Sequence, residues 1–273
     1  MKIVSLLENT SRHGLWVEHG LSLYIETGQR EKILFDMGQS QLFTLNAKLL
    51  GISLAHVQLA ILSHGHYDHG GGLDAFLRLN AQAPVYVHTR AFEPHYSLRD
   101  TGLRYIGLDP ALKEHPQLRF CQDISKINDH ILLFSQVSGQ CLCPPGNRTL
   151  FGPAPAEHDT FGHEQNLLIT EGDKRILFTG CAHAGILNIL KRAKQMTDGP
   201  ITHVIAGMHL SKHGLSKTEE TLYIQQLADH LLSFQSCQYY TMHCTGETGY
   251  LLLKERMGSR IRYLSCGDII HII

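Results

Sequence analysis

The segment His64-Gly65-His66-Tyr67-Asp68-His69, followed at once by Gly70-Gly71-Gly72, constrains this chain more than any other feature. It gathers three imidazoles and a carboxylate directly after the apolar run Ala60-Ile61-Leu62. Val57–Leu62 reads as a short buried strand, so the cluster stands at a strand end. Alternate residues of an extended loop project to one side, which lets His64 and His66 reach one cation while Asp68 and His69 reach a second beside it. Imidazole with carboxylate suits zinc, and also iron or manganese, whereas magnesium would use fewer imidazoles. The glycines let the backbone turn sharply into a helix that begins near Leu73.

Three further strands end in similar residues. Ile176-Leu177-Phe178-Thr179-Gly180 runs into Cys181 and His183, Val204-Ile205-Ala206-Gly207 into His209, and Tyr239-Tyr240-Thr241-Met242 into His243 and Cys244. In α/β folds, loops beyond one edge of the sheet converge on a common crevice, so ligands distant in sequence can share a site. His209 has three readings: a metal ligand, a group beside the metals that hydrogen-bonds a leaving group or substrate oxyanion, or a structural residue.

Composition narrows the classes. The 273 residues suit one large α/β domain or two small ones, and a single domain over 1–273 is favoured. Lys plus Arg (24) nearly cancels Asp plus Glu (25), so no broad basic surface for nucleic acid is expected. Glu8 comes too early for a secretory leader, and no apolar run approaches the roughly 20 residues of a spanning helix. A cytoplasmic protein without a membrane partner is the expectation; oligomeric state has no signal. Seven scattered cysteines read as reduced thiols.

Strands are expected at Lys2–Leu7, Leu21–Glu26, Lys32–Asp36 and Pro84–His88, with a helix over Leu73–Leu79. Later strands fall near 166–170, 175–179, 202–206, 238–242 and 261–264, and helices near 185–195, 217–233 and 247–257. Ser216 and Glu219 have capping-box spacing. The stretch of about 90–165, with Pro94, Pro110, Pro116, Pro144-Pro145, Pro153 and Pro155, reads as an irregular, elaborated connection that walls one side of the site. Within it His95, Arg99 and Arg104 each read singly as solvated loop residues that together could meet an anion, and Cys141-Leu142-Cys143 as a plain loop. Glu18-His19-Gly20 receives no role.

With the earlier Leu34-Phe35-Asp36-Met37-Gly38, the His64–His69 cluster resembles the signature of the metallo-β-lactamase superfamily, and the resemblance covers nearly the whole chain. It implies an αββα sandwich, two mixed sheets face to face with helices outside and two metals at one edge. Gly180-Cys181-Ala182-His183-Ala184-Gly185-Ile186, Gly207-Met208-His209-Leu210 and His243-Cys244-Thr245-Gly246 are similar to the subfamily of archaeal dihydropterin-ribofuranosylaminobenzene-phosphate synthases and related hydrolases. One departure stands out. Many superfamily members carry a lone histidine before a Thr-Gly-Asp segment, where this chain has His163-Glu164-Gln165-Asn166 and then Cys181 in the aspartate's place. The resemblance therefore implies that His183 completes the first shell and His243 the second, with His163 as a replacement candidate. Cys181 either bridges as a thiolate or is simply buried, and Asp36 either orients a ligand histidine through its other nitrogen or is a turn residue.

The expected activity is hydrolysis of a small anionic substrate, a phosphoester foremost. Two divalent cations, zinc first, would bring a shared water's pKa from about 16 toward about 7, with Asp68 and His209 as the catalytic side chains. The alternatives are a pterin-type synthase displacing pyrophosphate, an iron redox enzyme, and non-catalytic metal binding. His66 stands where a flavin-linked di-iron relative has glutamate, which argues against redox chemistry.

Overall fold

Leu34 and its neighbours Ile33 and Phe35 are all buried, although a strand sends alternate side chains to opposite faces. Such a strand needs cover on both sides. The computed structural model, which describes residues 1–154, 156–211 and 214–273, supplies it. The chain order is β1 (Lys2–Leu7), β2 (Ser22–Glu26), β3 (Lys32–Phe35), α1 (Leu42–Leu49), β4 (Leu59–Ile61), α2 (Tyr67–Gly70), α3 (Leu73–Leu79) and β5 (Val85–His88). There follow β6 (Tyr96–Arg99), β7 (Gly102–Tyr105), β8 (Leu118–Cys121), β9 (Ile124–Lys126), β10 (Ile131–Phe134), β11 (Leu150–Phe151), β12 (Asn166–Glu171) and β13 (Lys174–Thr179). The last elements are α4 (Ile186–Lys194), β14 (His203–Ala206), α5 (Lys217–Leu232), β15 (Gln238–Thr241), α6 (Gly246–Met257), β16 (Ile261–Tyr263) and β17 (Ile269–His271).

Two mixed sheets result. One runs β17-β1-β2-β3-β4-β5-β8 and is parallel from β3 to β8; the other runs β16-β15-β14-β13-β12-β10-β9 and is parallel from β13 to β16. Their inner faces meet through Leu23, Ile33, Phe35 and Ile61 on one side and Leu167, Ile176, Phe178 and Ile205 on the other, with the Phe35 and Phe178 rings 6.1 Å apart. The outer face of the first sheet, through Leu34, Ala60 and Val85, packs with Phe43 of α1 and Phe76 of α3. That of the second, through Leu177, Val204 and Tyr239, packs with Ile189 of α4, Leu227 of α5 and Leu253 of α6. This is the expected αββα sandwich. The α5 capping box forms as the sequence indicates, with Ser216 and Glu219 bonded reciprocally.

Two expectations need correction. Residues 64–69 are not extended throughout: Gly70 N and Gly71 N donate to His66 O and Tyr67 O, so the chain coils into α2 and sends Asp68 and His69 in different directions. The stretch 90–165 is not irregular throughout either. Its β8 extends the first sheet, β9 and β10 extend the second, and β11-β6-β7 form a small third sheet. These strands have two to four residues and several exposed positions, such as Arg119 and Phe120, so they lack the alternation that marks longer strands. Pro155 lies outside the described residues. No helix among the described residues is long and apolar enough to cross a membrane.

Candidate metal centre

Asp36 follows β3, His64 to His69 follow β4, Cys181 and His183 follow β13, His209 follows β14, and His243 follows β15. All these strands belong to the parallel parts of their sheets, so their carboxyl ends meet along one edge of the sandwich. Four non-glycine residues there take left-handed backbone angles: Asp36 (φ 60°), Ala182 (54°), His209 (47°) and His243 (52°). Such angles are uncommon outside glycine and are held only by surrounding structure; here they reverse the chain within a few residues of each strand end. Gly180 serves the closure differently. A methyl group there would lie 2.2 Å from Ser63 Oγ, so only glycine lets these two loops touch.

The potential ligand atoms form two adjoining groups. In the first, His64 Nε2 lies 3.1 Å from His66 Nδ1, and His183 offers a nitrogen within 4.8 Å of both residues' donor atoms. In the second, Asp68 Oδ2 lies 3.3 Å from His243 Nε2 and 3.2 Å from His19 Nε2, while His69 Nε2 lies 3.2 Å from His243 Nε2. Cys181 Sγ is 3.1 Å from His69 Nε2 and also clusters with His64, with His183 and His209, and with His243 and Cys244. It stands between the groups.

The outward nitrogen of four rings is fixed by an oxygen. Ser63 Oγ donates to Asp36 Oδ2 (2.7 Å), so at 2.9 Å it accepts from His64 Nδ1–H. Asp36 Oδ2 also accepts from His69 Nδ1 at 2.7 Å. Asn147 uses its amide nitrogen on His183 O (2.8 Å), which leaves Oδ1 to accept from His183 Nδ1 (3.0 Å). Asn9 brackets His243 in the same way, at 3.3 Å and 3.0 Å. Two buried carboxylates hold the loops themselves: Glu164 accepts from His183 N and Ala184 N, and Glu8 from His243 N and the Tyr263 hydroxyl. What remains open is on the inner side. His183 Nε2 is buried there without a hydrogen-bond partner among the described residues, and His66 turns Nδ1 to the same side, its Nε2 pointing away and likewise unpartnered among the described residues.

Burial, reinforced by neighbouring imidazoles, pushes His64, His66 and His183 well below the ordinary histidine range and also lowers His243, so these rings are neutral at pH 7. Burial acts on His69 too, but the carboxylates of Asp36 and Asp68 outweigh it and push His69 up to about 9. For Asp68, burial opposes ionisation, yet the charge on His69 and the hydrogen bond from His19 hold it well below the usual carboxylate range. The proton on His69 thus occupies ground where cation binding would displace it. The donor set of imidazole, carboxylate and thiol suits zinc or a similar transition metal. Contacts of 3.1–3.3 Å between donor atoms also approach the edge of a tetrahedron with bonds of about 2.0–2.1 Å, which is about 3.4 Å.

Seven residues expected as ligands, His64, His66, Asp68, His69, Cys181, His183 and His243, therefore meet in one place. His209 adjoins them, its ring 4.4 Å from that of His183 and its backbone N–H on Cys244 Sγ at 3.2 Å. Asp36 contacts His69 as the orienting reading has it. His163 does not stand free to replace a ligand: Nδ1 accepts from Gly65 N at 2.9 Å and Nε2 faces Asp159 Oδ2 at 3.1 Å. His95, expected in a solvated loop, is 1% exposed. His19 was assigned nothing by its sequence context, a histidine between an acid and a glycine before a strand. Gly20 packs so close to Asp68 O and Gly38 that the loop is docked there. A cavity of about 200 Å³ opens above the centre, lined by His19, Tyr67, Asp68, Arg99, His183 and His209 among others.

The metallo-beta-lactamase superfamily matches residues 15–204 of the chain, more than half of it. An uncharacterized protein of Methanocaldococcus jannaschii is 29% identical over 246 residues, covering 88% of this chain and 89% of the relative. The 7,8-dihydropterin-6-methyl-4-(beta-D-ribofuranosyl)-aminobenzene-5'-phosphate synthase of the same organism is 25% identical over 288 residues, covering 99% and 96%. Among solved structures, Tm1679, described as a metal-dependent hydrolase of the beta-lactamase superfamily, aligns with a TM-score of 0.82 at 29% identity over 100% of this chain and 99% of the other. The short form of human tRNase Z shares the fold, with a TM-score of 0.54 at 12% identity over 100% of both chains.

Proposed function

Since the chain belongs to the metallo-β-lactamase superfamily, we propose that it is a metal-dependent hydrolase acting on a small anionic substrate of the phosphoester class. The observation that carries this reading is the orientation of the rings: His64, His69, His183 and His243 each bind an oxygen with the outer nitrogen and turn the inner one to a common floor. His64, His66 and His183 would hold one divalent cation, and Asp68, His69 and His243 a second, with Cys181 between them and His19 beside Asp68. Zinc fits this donor set first, with iron or manganese as substitutes. When bound, such cations lower the pKa of a coordinated water toward about 7 and stabilise charge that develops on a substrate oxygen.

The chain's own residues supply the rest. Asp68 Oδ2, kept ionised by His69 and His19, accepts a proton at the floor. His209, on the cavity wall next to His183, lies where a leaving group can be met by an imidazole N–H. Arg99 brings a positive charge to the cavity, which favours an anion, and the volume of about 200 Å³ favours a small one. Elemental analysis of purified protein, with turnover of a generic phosphodiester before and after chelation, tests the reading. Two ions per chain with chelator-sensitive turnover support it; no bound metal after reconstitution overturns it.

A second reading has its own support in the full-length relationship to the archaeal synthase. The same centre would then activate a pyrophosphate leaving group toward an aromatic co-substrate. Release of pyrophosphate dependent on that co-substrate, without hydrolysis of simple phosphoesters, distinguishes it.

A further inference from the structure

Behind His66, on the side away from the second group, lie three buried residues that the proposed chemistry does not use: His95, Asp159 and His163. Asp159 Oδ2 accepts from His95 Nδ1 (2.9 Å) and His163 Nε2 (3.1 Å), and Oδ1 accepts from Phe161 N (2.7 Å). Because His163 Nδ1 takes the Gly65 N–H at 2.9 Å, its proton stays on Nε2. His95 in turn carries its proton on Nδ1, so its Nε2 is a lone pair, buried and without a partner among the described residues. His66 faces it edge-on, ring centroids 5.5 Å apart, and His66 Nε2 is also buried and unpartnered among the described residues. These four residues do not make a further cation site of their own, because the carboxylate oxygens and both nitrogens of His163 are already engaged.

We propose that Asp159 and His95 are positioning residues that set the tautomer of His66 and so free its Nδ1 to hold a cation. The inference rests on the reading of His66 as a ligand. With its proton on Nδ1, His66 donates to His64 Nε2, and two lone pairs then face each other across the gap to His95. Buried acceptors left so are costly. With the proton on Nε2, His66 donates toward His95 Nε2, directly after a small ring movement or through one water, and both buried atoms gain a partner. The same change leaves His66 Nδ1 bare beside His64 Nε2 and His183. Asp159 is what makes His95 an acceptor; without its charge His95 is free to carry the proton on Nε2 and to oppose the ligand form of His66. His163 anchors Asp159 to the backbone of Gly65, the residue before His66.

The test uses the full chain loaded with zinc or cobalt(II), titrated against a chelator. Asp159→Asn and His95→Leu are expected to weaken one of two ions by roughly 10–100-fold, leave the other as in wild type, and alter the cobalt absorption of the weakened site. His95→Gln keeps an oxygen acceptor near the position of Nε2 and is expected to lie closer to wild type than His95→Leu. Should Asp159→Asn not fold, the comparison of His95→Leu with His95→Gln decides alone. Two ions bound by every variant as tightly as by wild type, or both ions weakened equally, overturns the positioning role while leaving the hydrolase reading intact. A wild-type protein that binds no ion overturns both.

Discussion

Asp36→Asn separates the electrostatic role of one carboxylate from its shape. Asp36 is fully buried and accepts from Ser63 N, Ser63 Oγ and His69 Nδ1, each at 2.7 Å. In the metal-free protein it is the largest influence raising His69 against burial, with Asp68 next, and together they take His69 from 6.5 to about 9. At about 1.4 kcal/mol per unit, that rise is worth roughly 3 kcal/mol. The folded state binds the proton more tightly than the unfolded state, so this stability is fully present below pH 6.5 and is lost as pH rises through about 9. The His69 contribution to unfolding free energy should therefore fall by roughly 2–3 kcal/mol between pH 6 and pH 9, against an opposite gain from the buried neutral His64, His66, His183 and His243. It is read as the difference in pH slope between metal-free wild type and Asp36→Asn in urea denaturation. Asp36→Asn should lose most of that His69 contribution, so its stability should rise more with pH than that of wild type. It should also weaken one cation by roughly 10–100-fold in chelator competition, because an amide nitrogen facing His69 Nδ1 reverses the tautomer and puts a proton on Nε2. A variant that keeps both the wild-type slope and the wild-type affinity for two ions would refute the reasoning.

Other outcomes can be checked with the same preparations. His66→Ala and Asp68→Asn should each lower metal content or phosphodiester turnover, the latter by about 100-fold or more, with far-ultraviolet circular dichroism unchanged; unchanged turnover in both would remove the centre. Cys181→Ser should abolish a sulfur-to-cobalt absorption band and change metal stoichiometry if the thiolate is a ligand, and an unaltered spectrum would leave Cys181 as a buried thiol. Because burial lowers His64, His66 and His183, these rings stay neutral below the usual 6.5, so the cation of the first group should survive dialysis at pH 6.5 and leave only at lower pH, whereas the second competes with the His69 proton and should leave at higher pH. Loss of both ions already at pH 7.5 would contradict the burial argument. Gly180→Ala should reduce thermal stability and metal affinity together, since the added methyl displaces Ser63 and with it His64 and Asp36.

The parts of this arrangement that are local in sequence were legible from it. The His64–His69 cluster, the strands that end in Cys181, His183, His209 and His243, and the capped helix α5 follow from periodicity and from the crowding of donor residues after apolar runs. The parts that depend on distant partners were not. His19 finds Asp68 only because the loop after β1 docks beside α2. Asn9 and Asn147 look like ordinary polar loop residues until each is seen to bracket a histidine 234 or 36 positions away. His95, Asp159 and His163 fall in a proline-interrupted stretch whose strands are too short to show a period, and they are buried against one another, Gly65 and His66. The coil at Tyr67–Gly70 leaves no mark in the sequence because a single helical turn of four residues is too short to show a period.

The rings of the floor come from both sheets: His64, His66, Asp68 and His69 follow a strand of the first, and Cys181, His183 and His243 follow strands of the second. Asn9, beyond the end of β1, also steers His243 beyond β15, so the halves share the oxygens that aim the rings as well as the rings themselves. A cation held between them behaves as a removable cross-link. Its binding energy adds to the cohesion of the sandwich in proportion to the logarithm of free metal, so the melting temperature of this protein should track metal activity in the buffer. Two separately expressed halves, divided between β10 and β12, would by the same logic associate more tightly in the presence of the ion.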